Sequence, residues 1–211
     1  FASVPTNANW RYTYKAGSGT GYDLTNASYD SVRFSTVSQN NLSGGLFFKP
    51  DGLAMYVASG TSVYYYTLST AWLVSSASWV SSFSIVTQDG SARGLFFKPD
   101  GTEMYVVGAD GSDVNQYNLS TAWDVTSATF TGLNAFAVSP SGLFFKPDGT
   151  EMYSTYNTGD TVTQWTLSTA WNITTATATR TYSGASQETS PRDVHFSSDG
   201  LIMMTTGNAN D

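Results

Sequence analysis

Short apolar runs alternate with polar turns along the whole chain, and one run of eight residues recurs. Gly-Leu-Phe-Phe-Lys-Pro-Asp-Gly occupies residues 45–52, 94–101 and 142–149, and a degraded version, Asp-Val-His-Phe-Ser-Ser-Asp-Gly, occupies residues 193–200. The glycines that end these runs follow one another at spacings of 49, 48 and 51 residues. Such a regular period predicts that each repeat is one supersecondary unit stacked against its neighbours.

A second mark repeats in the same phase. It reads Tyr-Thr-Leu-Ser-Thr-Ala-Trp at residues 66–72, Tyr-Asn-Leu-Ser-Thr-Ala-Trp at 117–123 and Trp-Thr-Leu-Ser-Thr-Ala-Trp at 165–171, with a weaker version at 22–29. If the similarities arose by chance, the distance between the two motifs would not be nearly constant from repeat to repeat. The repeats are therefore structural units and not isolated motifs.

The second repeat shows its strands most clearly. Leu95–Phe97 is a short apolar strand, and Lys98–Gly101 is a turn in which proline presets φ and glycine accepts positive φ. Met104–Val107, Val114–Leu119 and Ala128–Ala137 follow as the second, third and fourth strands. Four short strands in roughly 49 residues are typical of one propeller blade. No long apolar stripe of helical period is present, so we expect no long helix.

The predicted fold class is all-β, a small β-propeller with four blades of four antiparallel strands. The last repeat carries only its first two strand signals, whereas residues 21–28 and 31–37 resemble a third and a fourth strand. We therefore expect N- and C-terminal strands to share one blade, which would leave no open sheet edge. The alternative is an excerpt of a larger propeller, because the chain begins at Phe1 and not at a methionine.

These assignments predict a single propeller domain that covers residues 1–211. The expected repeats are 45–93, 94–141 and 142–192, with a composite blade from 193–211 plus 21–44 and an N-terminal arm at 1–20.

Composition narrows the partners. The net charge is −7, and the nine lysines and arginines are scattered, so neither nucleic acid nor an anionic membrane surface is an expected partner. No apolar run reaches the roughly 18 residues that a membrane helix needs. Cysteine is absent, which excludes disulfides and thiolate metal sites.

Residues 94–125 carry a family resemblance. Their Pro-Asp-Gly turn and Leu-Ser-Thr-Ala-Trp mark are similar to a propeller-type repeat common in marine bacteriophages and bacteria, and the resemblance covers almost the whole chain from Tyr22. The turn also resembles the inner strand of WD40 propellers, although Trp123-Asp124 lies beyond the third strand and not at the WD40 position. The resemblance implies a structural or adhesive role on a virion or cell exterior, and it transfers no catalytic residues.

The sequence gives little support for catalysis. His195 is the only histidine and aligns with the first phenylalanine of the other octapeptides, so we expect a polar substitution and not a metal ligand or a triad base. We expect Glu103 and Glu151 to be exposed. The recurrent turn carboxylates are expected to accept hydrogen bonds from backbone N–H groups; they are Asp51, Asp100, Asp148 and Asp199. The chain is therefore predicted not to be an enzyme.

Two further features have competing interpretations. Trp72, Trp123 and Trp171 could stack on sugars, one per blade, or pack between blades, and we favour packing because identical bulky residues usually mark the repeated core. Asp110–Asp113 and Gly159-Asp160 have the composition of calcium loops without EF-hand spacing. We favour plain hairpin turns there and expect no cofactor, with calcium as the alternative.

The predicted function is that of a non-catalytic structural or adhesive module, such as a bacteriophage tail-fibre protein, on a virion or cell surface. It would take part in host recognition by binding virion or surface proteins or host glycans through blade loops, and could form an oligomer within a larger assembly. The alternatives are a multivalent sugar-binding lectin and a polysaccharide-acting enzyme. We expect ligand contacts where the blades differ, in the links that lead into the inner strands: Gln39, Asn40, Gln88, Asp89, Asn134, Gln187 and Glu188.

Overall fold

The computed structural model describes the backbone of residues 10–15, 28–39, 44–136, 139–156, 158–186 and 190–207, and the side chains from residue 32 onward. Its strands are β1 (Trp10–Lys15), β2 (Ser28–Ser35), β3 (Leu46–Phe48), β4 (Ala54–Ser59), β5 (Ser62–Leu68), β6 (Ala77–Ser84), β7 (Ala92–Phe97), β8 (Glu103–Gly108), β9 (Asp113–Leu119), β10 (Ala128–Ala135), β11 (Pro140–Phe145), β12 (Glu151–Tyr156), β13 (Thr161–Leu167), β14 (Ala176–Ser183), β15 (Pro191–Phe196) and β16 (Met203–Gly207).

Each complete repeat forms one antiparallel sheet whose strands pair in chain order. Blade 1 is β3–β6, blade 2 is β7–β10 and blade 3 is β11–β14. The strands β15 and β16 form a half-blade that corresponds to the two inner strands of a fourth blade. This arrangement confirms the predicted all-β, small β-propeller. The fourth blade differs from the others because no ladder joins β16 to β1 or β2 among the described residues.

The described N-terminal residues form a pair of strands, and their place in the expected composite blade stays a prediction. The outer strand expected at 31–37 is present as β2, shifted to Ser28–Ser35, and it pairs with β1. The strand β1 comes from the segment that the sequence assigned to an N-terminal arm or added strand. The third strand predicted at 21–28 lies, apart from Ser28, outside the described residues. Val32 and Phe34 of β2 pack on the face of blade 1 that is turned away from blade 2.

The core lies between blades. One cluster of buried side chains joins blades 1 and 2, and a second joins blades 2 and 3. Consecutive phenylalanines of an inner strand point to opposite sheet faces, so Phe97 packs against blade 1 while Phe96 packs against blade 3. Both faces of an inner strand therefore carry an aromatic contact with a neighbouring blade. Burying a phenylalanine such as Phe97 or Phe145 contributes about 1.5–3 kcal/mol.

A single turn of 3₁₀-helix precedes each outer strand, which the sequence analysis did not predict. These turns are Val74–Ser76, Val125–Ser127 and Ile173–Thr175. Val125 and Ile173 are buried between blades, and Val74 is buried where blade 1 packs against β2. Two of the turns are capped, because Asp124 and Asn172 accept hydrogen bonds from the N–H groups two residues later.

The tryptophans pack on the turns of their own blades. Trp123 donates its backbone N–H to Gly101 at 2.9 Å, and its ring lies where a Cβ on Gly101 would stand. Gly101 has φ +75°, so both the backbone conformation and the ring require glycine there. Trp123 also stacks on Phe97 with ring centroids 5.5 Å apart, which confirms the packing role for this tryptophan.

Candidate functional site

The inner strands of the three blades and the half-blade surround a central cavity of about 1270 Å³. Four inner strands contribute to its wall because the first strand of every repeat lies nearest the propeller axis. Its wall includes residues 44–48 of blade 1, 91–96 of blade 2, Ser141, Leu143 and Phe144 of blade 3, and 192–195 of the half-blade. Trp72 also borders it and is 54% exposed.

Aromatic rings line this cavity in sequence. Phe47 and Phe96 lie 5.6 Å apart between centroids, Phe96 and Phe144 lie 5.9 Å apart, and Phe144 and His195 lie 5.1 Å apart, each pair edge to face. His195 therefore occupies the fourth position in this row of rings, where the other repeats have phenylalanine. This agrees with the predicted polar substitution on the inner strand. The row of rings therefore ends in an exposed side chain that can form hydrogen bonds.

The half-blade makes the cavity asymmetric. Blade 3 has Gly142 where the half-blade has Asp193, and a Cβ on Gly142 would approach the Asp193 Cα to 2.5 Å and Oδ1 to 2.6 Å. Glycine is thus required where one inner strand closely approaches the next. The half-blade carries instead three polar side chains, Arg192, Asp193 and His195, which all border the cavity.

The cavity concentrates positive charge in an acidic chain. Arg93 on β7 and Arg192 on β15 occupy the same position in their repeats, and both border the cavity. The Arg93 guanidinium makes no ion pair within the described part of the chain. Asp193 is exposed, and the partial loss of water around its carboxyl at the cavity wall raises its pKa, although the Val194 N–H at 2.9 Å and the nearby His195 oppose the rise. Anionic groups entering the cavity would therefore meet guanidinium donors.

The described residues among those that the sequence proposed as ligand contacts do not border this cavity. Gln39 is half-buried, and its Oε1 accepts from the Tyr66 hydroxyl at 3.4 Å. Gln88 is half-buried as well, whereas Asp89 is 2% exposed. The Asn134 amide donates to the carbonyl oxygens of Ile173 at 3.0 Å and Ala176 at 3.2 Å in the next blade. Asn40, Gln187 and Glu188 lie outside the described residues.

The repeated turn carboxylates have the predicted structural role. An Oδ1 atom accepts the N–H of the residue two positions later at 2.9–3.0 Å in all four turns. In the third turn the Thr150 hydroxyl and N–H, together with the Lys146 ammonium, lower the pKa of Asp148 to about 2. These groups serve the turns and not a catalytic pair.

The expected exposure of Glu103 and Glu151 is wrong. Both are half-buried. The Glu103 carboxylate accepts from the Gln116 amide at 2.6 Å and lies 2.7 Å from the Tyr105 hydroxyl. The Glu151 carboxylate accepts from Tyr153 at 2.6 Å and Gln164 at 2.9 Å. Gln116 and Gln164 lie on the neighbouring strands, so the local sequence does not reveal that they hold these glutamates against the sheet.

The described residues contain neither a metal site with three clustered acidic, His or Cys ligands nor a membrane-spanning helix. No group of three His, Cys, Asp or Glu side chains in the described ranges is arranged to hold a metal ion. None of the helical segments that the structure describes is long and apolar enough to cross a membrane.

The cavity arginines escaped the sequence analysis although a signal for them exists. Aligning the octapeptides places Gly44, Arg93, Ser141 and Arg192 at one position, directly before the repeated run. Two arginines at a position that otherwise holds small residues indicate a polar site near the axis. The octapeptides themselves do not show this alternation, because the varying position directly precedes them.

No family model and no curated protein sequence matches this chain. A solved Lactobacillus plantarum protein is similar in fold, with a TM-score of 0.60, 17% identity, and coverage of 94% of this chain and 57% of that one. A Bacteroides uniformis protein, provisionally assigned as a 6-phosphogluconolactonase, matches with a TM-score of 0.56, 15% identity, and coverage of 77% and 46%.

The β-propeller domain of Cps50 (Swd1) from Myceliophteria thermophila matches with a TM-score of 0.54 and 13% identity over 89% of this chain and 58% of that one. The chain thus spans about half the length of the solved structures it matches. At these identities the likeness shows the propeller fold alone.

Proposed function

We propose that this chain is a non-catalytic adhesive module that binds an acidic glycan in its central cavity, on the surface of a virion or cell. The cavity carries the proposal, because it is the place where the repeats diverge into a set of arginine, aspartate, histidine and aromatic side chains. The proposed binding site is therefore at the propeller axis, and not in the blade loops where the sequence led us to expect it.

The chemistry of the cavity suits a sugar that bears a carboxylate or sulfate. Aromatic faces pack on the apolar faces of sugar rings, and the cavity offers Phe47, Phe96 and the exposed Trp72. Arginine binds carboxylate and sulfate oxygens through paired N–H donors, which Arg93 and Arg192 can supply. Asp193 and His195 add hydrogen-bonding groups for hydroxyls.

The surface location rests on the resemblance of the repeats to those of bacteriophage and bacterial surface proteins. A role in host recognition, with virion or surface proteins as neighbours, follows from the same resemblance. An acidic chain that binds a charged glycan through a local cluster of arginines would keep its solubility and still attract its ligand.

A glycan array that contains neutral, carboxylated and sulfated oligosaccharides tests this function. We expect hits among the charged glycans, weakened by salt, and Arg93→Gln should lower affinity roughly 10- to 100-fold through loss of a charge-assisted hydrogen bond. Arg180→Gln is the matched control. It removes the same charge, but from an exposed position on the outer strand β14.

Two outcomes would contradict the proposal. One is an array without charged hits; the other is equal binding by the Arg93→Gln and wild-type proteins. Trp72→Ala and Trp123→Ala separate binding from folding, since Trp72 borders the cavity while Trp123 packs between blades. We expect Trp72→Ala to weaken binding and Trp123→Ala to lower stability.

A polysaccharide-acting enzyme is the second candidate, favoured by one observation. Asp193 and His195 lie two residues apart on β15 and both border the cavity, so a carboxylate and an imidazole face one bound ligand. Turnover of a bound glycan that is lost in His195→Gln, with binding retained, would establish this activity. Binding without turnover in the wild type would support the adhesive module.

A further inference from the structure

Two carboxylates are buried together where the link between blades 1 and 2 meets the turn that connects β8 and β9. Asp89 in the link is 2% exposed, and Asp113 at the start of β9 is 6% exposed. Both flank Gly111: Asp89 Oδ2 accepts the Gly111 N–H at 3.0 Å, and the Asp113 carboxylate oxygens would lie 2.7 Å from a Cβ on Gly111. The two negative charges are therefore neighbours inside the protein.

The other contacts of Asp89 and Asp113 supply no positive charge. Asp89 Oδ1 accepts the Ser91 N–H at 2.6 Å, and Asp113 Oδ1 accepts the Asn115 amide at 2.6 Å. The ion pairs seen in the described residues instead involve lysines of the Pro-Asp-Gly turns, which contact the turn aspartates and, for Lys98, also Glu103. Burying carboxylates without a counter-charge costs several kcal/mol per ion, so a missing cationic partner is indicated.

Two buried oxygen atoms without partners belong to residues on the same face of β9 as Asp113. Asn115 is 1% exposed, and its Oδ1 has no hydrogen-bond partner. Tyr117 follows on the same face of β9, is fully buried, and its hydroxyl also has no partner. Buried polar groups without partners are rare in native proteins and indicate an unaccounted water or ion. Each carboxylate oxygen keeps free lone pairs beyond the hydrogen bonds described.

From these contacts we propose that Asp89, Asp113 and Asn115 hold a calcium ion that locks the link between blades 1 and 2 onto the β8–β9 turn. All the available donors are oxygens, which calcium prefers, and calcium accepts irregular coordination completed by backbone carbonyls or water. The ion would supply the missing positive charge and the missing partner of Asn115 together.

The other blades lack this donor set. The residues that correspond to Asp113 and Asn115 are Ser62 and Tyr64 in blade 1, and Thr161 and Thr163 in blade 3. The site is thus specific to blade 2, as expected of a ligand site and not of a repeated turn. It is also separate from the central cavity and does not depend on the proposed glycan binding.

Calorimetry tests the site. The protein is first freed of metal with a chelator, the chelator is removed, and calcium is then titrated into the protein. We expect one ion per chain and a rise in Tm of about 5–10 °C at a roughly hundred-fold excess over Kd. Asp113→Asn should weaken calcium binding at least ten-fold and, without calcium, melt above the wild type because one buried charge is gone. Asp160→Asn, in the corresponding turn of blade 3, should bind calcium as the wild type does.

A variant that strengthens the site keeps the test decisive if Asp113→Asn fails to fold. Asn115→Asp adds a third carboxylate, so we expect a lower Tm without calcium and a larger calcium-dependent rise than in the wild type. Terbium luminescence, sensitised by the nearby Tyr117, should be displaced by calcium with the same ranking of variants. Absence of calcium binding by the wild type, or unchanged binding by Asp113→Asn, would overturn the proposal.

Discussion

Blade 3 meets its two neighbours in different ways. Towards blade 2, its segment 171–176 receives a set of polar contacts: the Tyr105 hydroxyl lies 2.7 Å from the Trp171 carbonyl oxygen, and Gln116 Oε1 accepts the Ile173 N–H at 3.2 Å. Asn134 adds two more hydrogen bonds to the same segment. These contacts surround a buried apolar cluster, so the interface is both packed and directionally fixed.

Towards the half-blade, blade 3 makes mainly ring contacts, together with one buried hydrogen bond from the Ser141 hydroxyl to the Pro191 carbonyl oxygen at 2.8 Å. Tyr153 lies 4.4 Å from Phe196 between centroids, and Phe144 lies 5.4 Å from it. The Tyr153 hydroxyl donates to Glu151 of its own blade at 2.6 Å, where Tyr56 and Tyr105 each reach a tryptophan carbonyl in the next blade. The half-blade also exposes apolar side chains: Leu201, Ile202 and Met204.

The difference shows which part of a repeat fixes its neighbour. Inner strands provide aromatic contact at both interfaces, but the hydrogen bonds named above from blade 2 to blade 3 go to the tryptophan and the 3₁₀ turn, which belong to the outer half of a blade. The half-blade has no such segment among the described residues. The polar side chains Arg192, Asp193 and His195 occur at this less constrained interface, where substitutions interfere least with packing.

The largest expected effect comes from truncating the core phenylalanine at each interface. Phe145→Ala should lower the free energy of unfolding by about 3–5 kcal/mol, because Phe145 is 1% exposed and packs against Phe96, Tyr105 and Trp171. Phe196→Ala should cost roughly 1–2 kcal/mol, since Phe196 is half-buried. Urea unfolding measures both, and equal losses would contradict the comparison.

A smaller effect distinguishes the turns. Gly149 and Gly200 both have φ +72°, but only Gly149 faces a tryptophan ring, whereas nothing lies within 4 Å of a Cβ on Gly200. Alanine at Gly200 should cost about 1 kcal/mol for the left-handed backbone alone. Alanine at Gly149 should cost roughly 2–4 kcal/mol, because it also displaces Trp171.

Tryptophan fluorescence checks this pair alongside thermal unfolding. Gly149→Ala should change the emission of the folded protein, and Gly200→Ala should leave it unchanged. A Gly200→Ala variant as unstable as Gly149→Ala would mean that a ring covers the fourth turn as well.

The sequence predicted the blades well because their signals are local. Strand alternation and the Pro-Asp-Gly turn placed the four strands of blade 2 within a few residues, and only the outer strand ended earlier than expected, at Ala135 instead of Ala137. Each inference needed only residues that are neighbours along the chain.

The candidate site could not be predicted in the same way. Its arginines lie on different repeats, and the cavity exists only once the inner strands are arranged around one axis. The burial of Asp89 depends on the link folding onto the β8–β9 turn, and the orientation of Glu103 depends on Gln116 across the sheet. Such contacts between distant residues have no periodic signature.

The smallest expected difference concerns single hydroxyl groups. Tyr105→Phe removes the group next to the Trp171 carbonyl and should cost about 1–2 kcal/mol, since a buried oxygen loses its partner. Tyr153→Phe removes a group bound within its own blade, at a half-exposed site, and should change stability by about 0.5 kcal/mol or less. Tyr56→Phe provides the control, because the Tyr56 hydroxyl donates to the Trp123 carbonyl at 2.7 Å and should lose as much as Tyr105→Phe. Similar denaturant midpoints for Tyr105→Phe and Tyr153→Phe would show that the outer half of the next blade does not fix the interface.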